Sequence, residues 1–187
     1  MRQDIIDALQ KELVDRCGRE SNQFGMGIYW HIEAVARNAA YLAREYGGDE
    51  EISTIAGWLH DLAAVTDPAL YEEHHLHGAK MAGAILESFG YEPDRIERVQ
   101  ECIRRHRGSA LMEKRTIEEL CVADADAVSH IDSVPSLLYM VYVKKGMGIE
   151  EGAQWVKSKL ERSYAKLSAR SRELYREKYE RAMSALG

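Results

Sequence analysis

The chain has 187 residues, 45% of them hydrophobic and 30% charged, and a formal net charge of −6. That length can bury a substantial core in one domain or two, and the composition is that of an ordinary soluble globular protein. The acidic balance argues against broad non-specific binding to nucleic acid, and no run of about 18 apolar residues exists to span a membrane.

In chain order the pattern is helical throughout. The N-terminus Met1-Arg2-Gln3-Asp4 opens directly into an amphipathic stretch (Ile5, Ile6, Leu9, Leu13) rather than a signal peptide, so we expect a cytoplasmic protein. Apolar residues recur at helical spacing in Val35, Ala39, Leu42, Tyr46 and again in Ile52, Ile55, Ala56, Leu59. Breaks are expected at Gly25-Met26-Gly27, Gly47-Gly48-Asp49, Asp67-Pro68, Gly90 to Pro93, Arg107-Gly108 and Gly146-Met147-Gly148, the last too short to read as a phosphate loop. Thr116-Ile117-Glu118-Glu119 reads as a capping box that starts another helix. Two final helices, over 149–167 and 170–186, should pack on the outside of the bundle. Residues 157–181 hold nine Lys or Arg against four Glu, a local +5 that leaves −11 elsewhere. Opposite charges at i,i+4 make a solvated face the expected reading of that segment, ahead of a polyanion site. The cysteines Cys17, Cys102 and Cys121 are odd in number and set in apolar contexts, which suits reduced core thiols. With no repeat and no low-complexity linker, a single all-α domain is the simplest account.

The most informative feature is His60-Asp61, at the end of the apolar run Ile55 to Leu59. An imidazole and a carboxylate there are costly to bury unless they share a cation or a hydrogen-bond network. On a helix the two would lie about 100° apart, so both can reach a cation at the boundary of their faces, and the carboxylate can bridge two metals. His31 shares an inward face with Val35, Asn38 and Leu42; alone, such a histidine would more often be a satisfied core residue than a ligand. Further candidates follow at wide intervals: His74, His75 and His77, then His106, then Asp124 and Asp126, which lie about 200° apart on a helix and cannot both face one side. Imidazole and carboxylate without thiolate suit Fe, Mn, Ni, Co, Zn or Mg.

The order H, HD, H, H, D resembles the HD-domain superfamily of metal-dependent phosphohydrolases, over residues 28–131. The resemblance implies an all-α helical bundle of that type with extra C-terminal helices. It also implies a ligand set of His31, His60, Asp61, His74, His106 and Asp126. His74 matches the family's H-x-x-x-G-A-x-x-A-x-x-I-L through Gly78, Ala79, Ala82, Ile85 and Leu86. His77, three residues on and nearly on the same face, is the alternative ligand or a hydrogen-bond partner, whereas His75 points elsewhere into solvent. His106 corresponds to the fourth histidine, which in binuclear members ligates the second metal. Both Asp124 and Asp126 follow alanine; Asp126 fits the following apolar spacing better and has His130 one turn on to support it, with Asp124 as the alternative. Arg104 and Arg107 are the arginines expected to contact phosphate, since guanidinium matches its oxygens bidentately.

The implied reaction is hydrolysis of a phosphoester or phosphoanhydride by metal-activated water, with Asp61 also placed to accept the water's proton. A nucleotide is the implied substrate class, nucleic acid and membrane are not expected partners, and a homo-oligomer stays open. One or two divalent or trivalent ions are implied. Four histidines and two aspartates favour two, whereas a mononuclear site would use only His31, His60, Asp61 and Asp126. Two features depart from the family. The pair is followed by Leu62-Ala63-Ala64-Val65-Thr66 where many members carry Ile-Gly-Lys, and no Gly-Tyr-Pro phrase occurs near the site. Two alternatives stand beside hydrolysis: a binuclear-iron oxygenase of HD type, and a non-catalytic nucleotide-sensing HD domain, which the intact ligand set disfavours.

Overall fold

Helices account for every regular element among the described residues of the computed structural model, 1–107 and 113–187. They are α1 (Gln3–Cys17), α2 (Gly27–Tyr46), α3 (Glu50–Leu59), α4 (Leu62–Thr66), α5 (His74–Ser88), α6 (Pro93–Arg105), α7 (Ile117–Asp132), α8 (Val134–Tyr139), α9 (Ile149–Ala165) and α10 (Ala169–Ala185). A 3-10 turn at Pro68–Leu70 follows α4, and a π turn at Met140–Lys144 follows α8.

The expected breaks sit where their chemistry puts them. Gly47 ends α2 in the left-handed region at φ 81°, and the Asp49 side chain accepts the Ile52 N–H at 3.1 Å to start α3. Pro93 opens α6, where its missing N–H costs nothing. The capping box is shifted by one residue on one side. Thr116 Oγ1 accepts the Glu119 N–H at 3.2 Å, but the Glu119 carboxylate reaches back to the Arg115 N–H at 2.8 Å. The break expected at Arg107-Gly108 begins at His106; Gly108 lies outside the described residues. The first of the two final helices ends two residues earlier than expected and the second keeps its expected length but begins and ends one residue earlier, where Ser168 caps α10 through the Ser171 N–H.

The three cysteines are buried and free, as reduced core thiols should be. The main core gathers Ile5, Leu9 and Leu13 of α1 with Ile32, Leu42, Ile55, Leu59, Leu86, Ile103 and Val128. At its centre α2 runs between α3 and α7, and the approach to α3 is close. A Cβ at Gly57 would stand 2.7 Å from the Ala36 Cα, so only glycine lets these backbones meet. A second cluster, Ile131, Leu137, Val141, Val156 and Leu160, joins α7 to α8 and α9. Thus α9 and α10 lie against α7, on the outside of the bundle as the pattern suggested.

Candidate metal centre

The chain bends at the His60-Asp61 pair rather than continuing as a helix. Helix α3 ends at Leu59, and Asp61, at φ −105° and ψ 13°, starts α4. The pair thus sits at the end of the apolar helix, as expected, and the bend lets neighbouring residues do different work. The His60 ring is fully buried, while the Asp61 carboxylate keeps 17% of its surface open.

Three histidines share one local device. His60 Nδ1 lies 2.8 Å from the Gly57 carbonyl, His74 Nδ1 lies 2.7 Å from the Tyr71 carbonyl, and His106 Nδ1 lies 2.6 Å from the Ile103 carbonyl. A carbonyl oxygen carries no proton, so each Nδ1 must donate. In the neutral ring Nε2 is then the bare lone pair. Each is the backbone bond that usually orients a metal-binding imidazole, made here to the residue three before the histidine.

The three Nε2 atoms converge on Asp61. Its Oδ1 lies 3.2 Å from His74 Nε2 and 3.9 Å from His106 Nε2; its Oδ2 lies 3.4 Å from His60 Nε2 and 4.0 Å from His31 Nε2. Asp126 Oδ1 stands 3.3 Å from His31 Nε2. One ligand atom from each of His31, His60 and Asp61 falls within 4.8 Å of the others, and the same holds for Asp61, His74 and His106. A third such group is His31, Asp126 and His130.

The residues present fit a cation on two counts. His60 Nε2 is buried without a hydrogen-bond partner, and the Nε2 atoms of His74 and His106 face each other at 3.2 Å. Two bare lone pairs at that separation repel unless a proton or a metal lies between them.

Electrostatics divide the histidines. Burial pushes the His60 pKa down, but the adjacent Asp61 charge outweighs it and raises the group to about 9. Burial together with the neighbouring His60 lowers His106 to about 3, although Asp61 and Asp126 pull the other way. Burial would raise both carboxyls, yet the histidines around them hold Asp61 and Asp126 well below the usual carboxylate range. The centre therefore keeps two carboxylates ionised, as hard-cation binding requires.

Asp124 is turned away from the cluster. Its carboxylate accepts the Ser168 N–H at 3.0 Å and the Ser168 hydroxyl, bracing the start of α10. The 200° between the two aspartates thus separates a bracing residue from one facing the histidines. His130 stands one turn from Asp126, its ring 4.6 Å from that of His31, with Nδ1 buried and unpartnered. His77 lies outside the cluster, half-exposed, 3.9 Å from Glu73. His75, expected in solvent, is half-buried instead, with Nδ1 enclosed and unpartnered.

Both arginines expected to contact phosphate have protein partners in the structure. Arg104 pairs with Glu101 on its own helix and lines a groove with Glu87, Tyr91 and Gln100. Arg107 donates to the Glu72 carbonyl, which ties the end of α6 to the loop before α5. Tyr71 in that loop is a residue of the site that the sequence pattern does not single out. Its ring stacks on His74 with centroids 5.6 Å apart and planes 14° apart, and the Phe24 ring lies 5.5 Å from it, tilted by 52°. Its position three residues before a candidate histidine, shared with Gly57 and Ile103, is the signal that could have found it.

Comparison with known proteins agrees with this geometry. The model of the HD domain family matches residues 28–131. Ribonuclease Y of Symbiobacterium thermophilum is 33% identical over 128 residues, and that of Thermoanaerobacter pseudethanolicus is 30% identical over 126 residues. Each match takes in 66% of this chain but only 22% and 23% of the two ribonucleases, so the chain spans under a quarter of their length. Among solved structures, Bacillus subtilis YpgQ, crystallised with ADP, superimposes with a TM-score of 0.67 at 23% identity. That match covers 96% of this chain and 93% of YpgQ, so the fold, including the C-terminal helices, is shared. The chain belongs to the HD domain family of metal-dependent phosphohydrolases.

Proposed function

We propose that this protein hydrolyses a phosphoanhydride or phosphoester of a nucleotide, using two metal ions held by His31, His60, Asp61, His74, His106 and Asp126. The observation that carries the reading is the position of Asp61. Its two oxygens are turned to different histidines, Oδ1 toward His74 and His106, Oδ2 toward His60 and His31. A carboxylate so placed suits a bridge between two cations, and Asp126 completes the set on the His31 side. Bound there, the ions would lower the pKa of a water, orient the phosphoryl group and offset its developing charge.

The chain's own residues supply the rest. The backbone bonds of His60, His74 and His106 keep each Nε2 aimed inward through the cycle. Asp61, held ionised by its neighbours, is placed to take a proton from the attacking water. Tyr71, stacked on His74 and 41% exposed, forms part of the rim that excludes bulk water from that side.

A nucleotide rather than RNA is supported by the net charge of −6 and by the full-length likeness to a protein crystallised with ADP. The ribonuclease relatives share only part of their length with this chain. The test is a screen of metal-loaded protein against nucleoside mono-, di- and triphosphates, cyclic nucleotides and short RNA. Phosphate or pyrophosphate release that stops on chelation and returns with added metal is expected. Oxygen consumption without phosphate release would replace this reading with that of an HD-type oxygenase.

A further inference from the structure

The substrate's own negative charge needs a protein partner, and the expected cations already have other contacts. Ala64 stands three residues after Asp61 and is buried, Arg104 is paired with Glu101, and Arg107 is tied to the Glu72 carbonyl. A different cation reaches the centre from the outer layer. Helix α9 lays Gly152, Val156, Leu160 and Ser163 inward, against α7 and the second core cluster. Lys159 borders that stripe, three residues after Val156 and one before Leu160, and is half-buried. Opposite it, α7 carries Asp126 and His130 one turn apart. Lys159 lies close enough that its charge bears on His130, and those of Asp126 and Asp61 bear on it.

Among the described residues no ion pair or hydrogen bond holds the Lys159 ammonium. A half-buried cation without a partner costs stability that an arriving anion would recover. Two more cations, Arg162 and Lys166, follow at i+3 and i+7 and lie within electrostatic range of Lys159. Together they form a stripe about 10 Å long on the helix axis, running outward to exposed surface. Part of the basic C-terminal segment is thus turned toward the histidine centre, where a wholly solvated face was the first expectation.

We propose that Lys159 binds a phosphate of the substrate adjoining the one that is hydrolysed, with Arg162 and Lys166 extending the contact, so that the site prefers nucleoside di- and triphosphates over monophosphates. This rests on the phosphohydrolase reading above. An ammonium is suited to the task because it is a compact charge with three donors, able to follow a flexible phosphate chain.

Three proteins test it, each with its metal content measured: wild type, Lys159→Gln and Lys159→Arg. Calorimetric titration with inorganic pyrophosphate is expected to show at least about tenfold weaker binding in Lys159→Gln, the loss of one hydrogen bond to a charged group. Lys159→Arg should retain most of the affinity, and the metal content of both variants should equal that of wild type. In turnover, KM for a nucleoside triphosphate should rise in Lys159→Gln while that for a monophosphate stays unchanged. A raised melting temperature of ligand-free Lys159→Gln would further mark the lysine as a binding group rather than a stabilising one. Unchanged pyrophosphate affinity in Lys159→Gln at full metal content overturns the subsite and leaves the phosphohydrolase reading standing. Loss of metal from that variant overturns it too, by making Lys159 a support of the centre. If metal-loaded wild type hydrolyses no phosphate compound, both fall together.

Discussion

Asp61 and Asp124 show how little the identity of a residue says about its work. Both are buried or nearly so, and both are aspartates on or beside core helices. Asp61 gathers histidines, whereas Asp124 braces Ser168. Asp61→Asn should therefore lower turnover by at least about a hundredfold, more than loss of a residue that merely orients a ligand, with the helical circular dichroism unchanged. Asp124→Ala should behave in the opposite way. It loses the support for an N-cap and should cost about 1 kcal/mol in denaturant unfolding, while metal content is retained. If Asp124→Ala instead loses metal and turnover, the assignment of Asp126 over Asp124 is wrong. Proton linkage gives a further check. His60, raised to about 9 by Asp61, carries a proton at neutral pH when no metal is bound, and metal needs the same lone pair. Loading stripped protein at pH 7.5 should release protons, seen as a buffer-dependent enthalpy in calorimetry, and affinity should fall as pH is lowered. A buffer-independent enthalpy would mean that His60 is not displaced.

At the level of elements, the site depends on how closely helices meet. Gly57 serves twice: its missing side chain admits the backbone of Ala36, and its carbonyl accepts the His60 Nδ1 proton. Gly57→Ala should push α3 away from α2 and cost about 1–3 kcal/mol in unfolding free energy, with weaker metal retention alongside. Full stability in that variant would show that the α2/α3 contact yields without cost. Much of this architecture was legible in the sequence, because its signals are local: apolar spacing for Ile52 to Leu59, a left-handed Gly47, a capping Thr116, and the ordered histidines and aspartates. The end of the helix at the pair was legible, but the short α4 that restarts at Leu62 was not, since Leu62, Ala63 and Ala64 continue the apolar run with no glycine or proline to mark a turn; α4 packs against α5. The partners of Arg104 and Arg107 were hidden for a similar reason. A guanidinium can reach several carboxylates or carbonyls, and sequence does not rank Glu101 and Glu72 above a phosphate. Lys159 was masked by its own neighbourhood, where most basic residues do face solvent.

For the whole molecule, the bundle holds side chains from four separate helical segments and one corner around a single carboxylate. His31 comes from α2, His60 and Asp61 from the corner after α3, His74 from the first residue of α5, His106 from the end of α6, and Asp126 from α7. None of these is brought close by chain neighbourhood except the pair itself, so the centre exists only in the folded chain. Metal and fold should then stabilise one another. Stripping the ions should lower the melting temperature, and added metal should restore it in proportion to its concentration over its dissociation constant.

The most direct test is the number of ions per chain in protein purified without chelator, measured by elemental analysis for the native chain and for His106→Ala. Two donor sets meeting at Asp61 predict about two ions in the native protein and about one in the variant, with activity falling far more than thermal stability. One tightly bound ion in the native protein, unchanged in His106→Ala, would contradict the account and move His74 and His106 out of the metal centre.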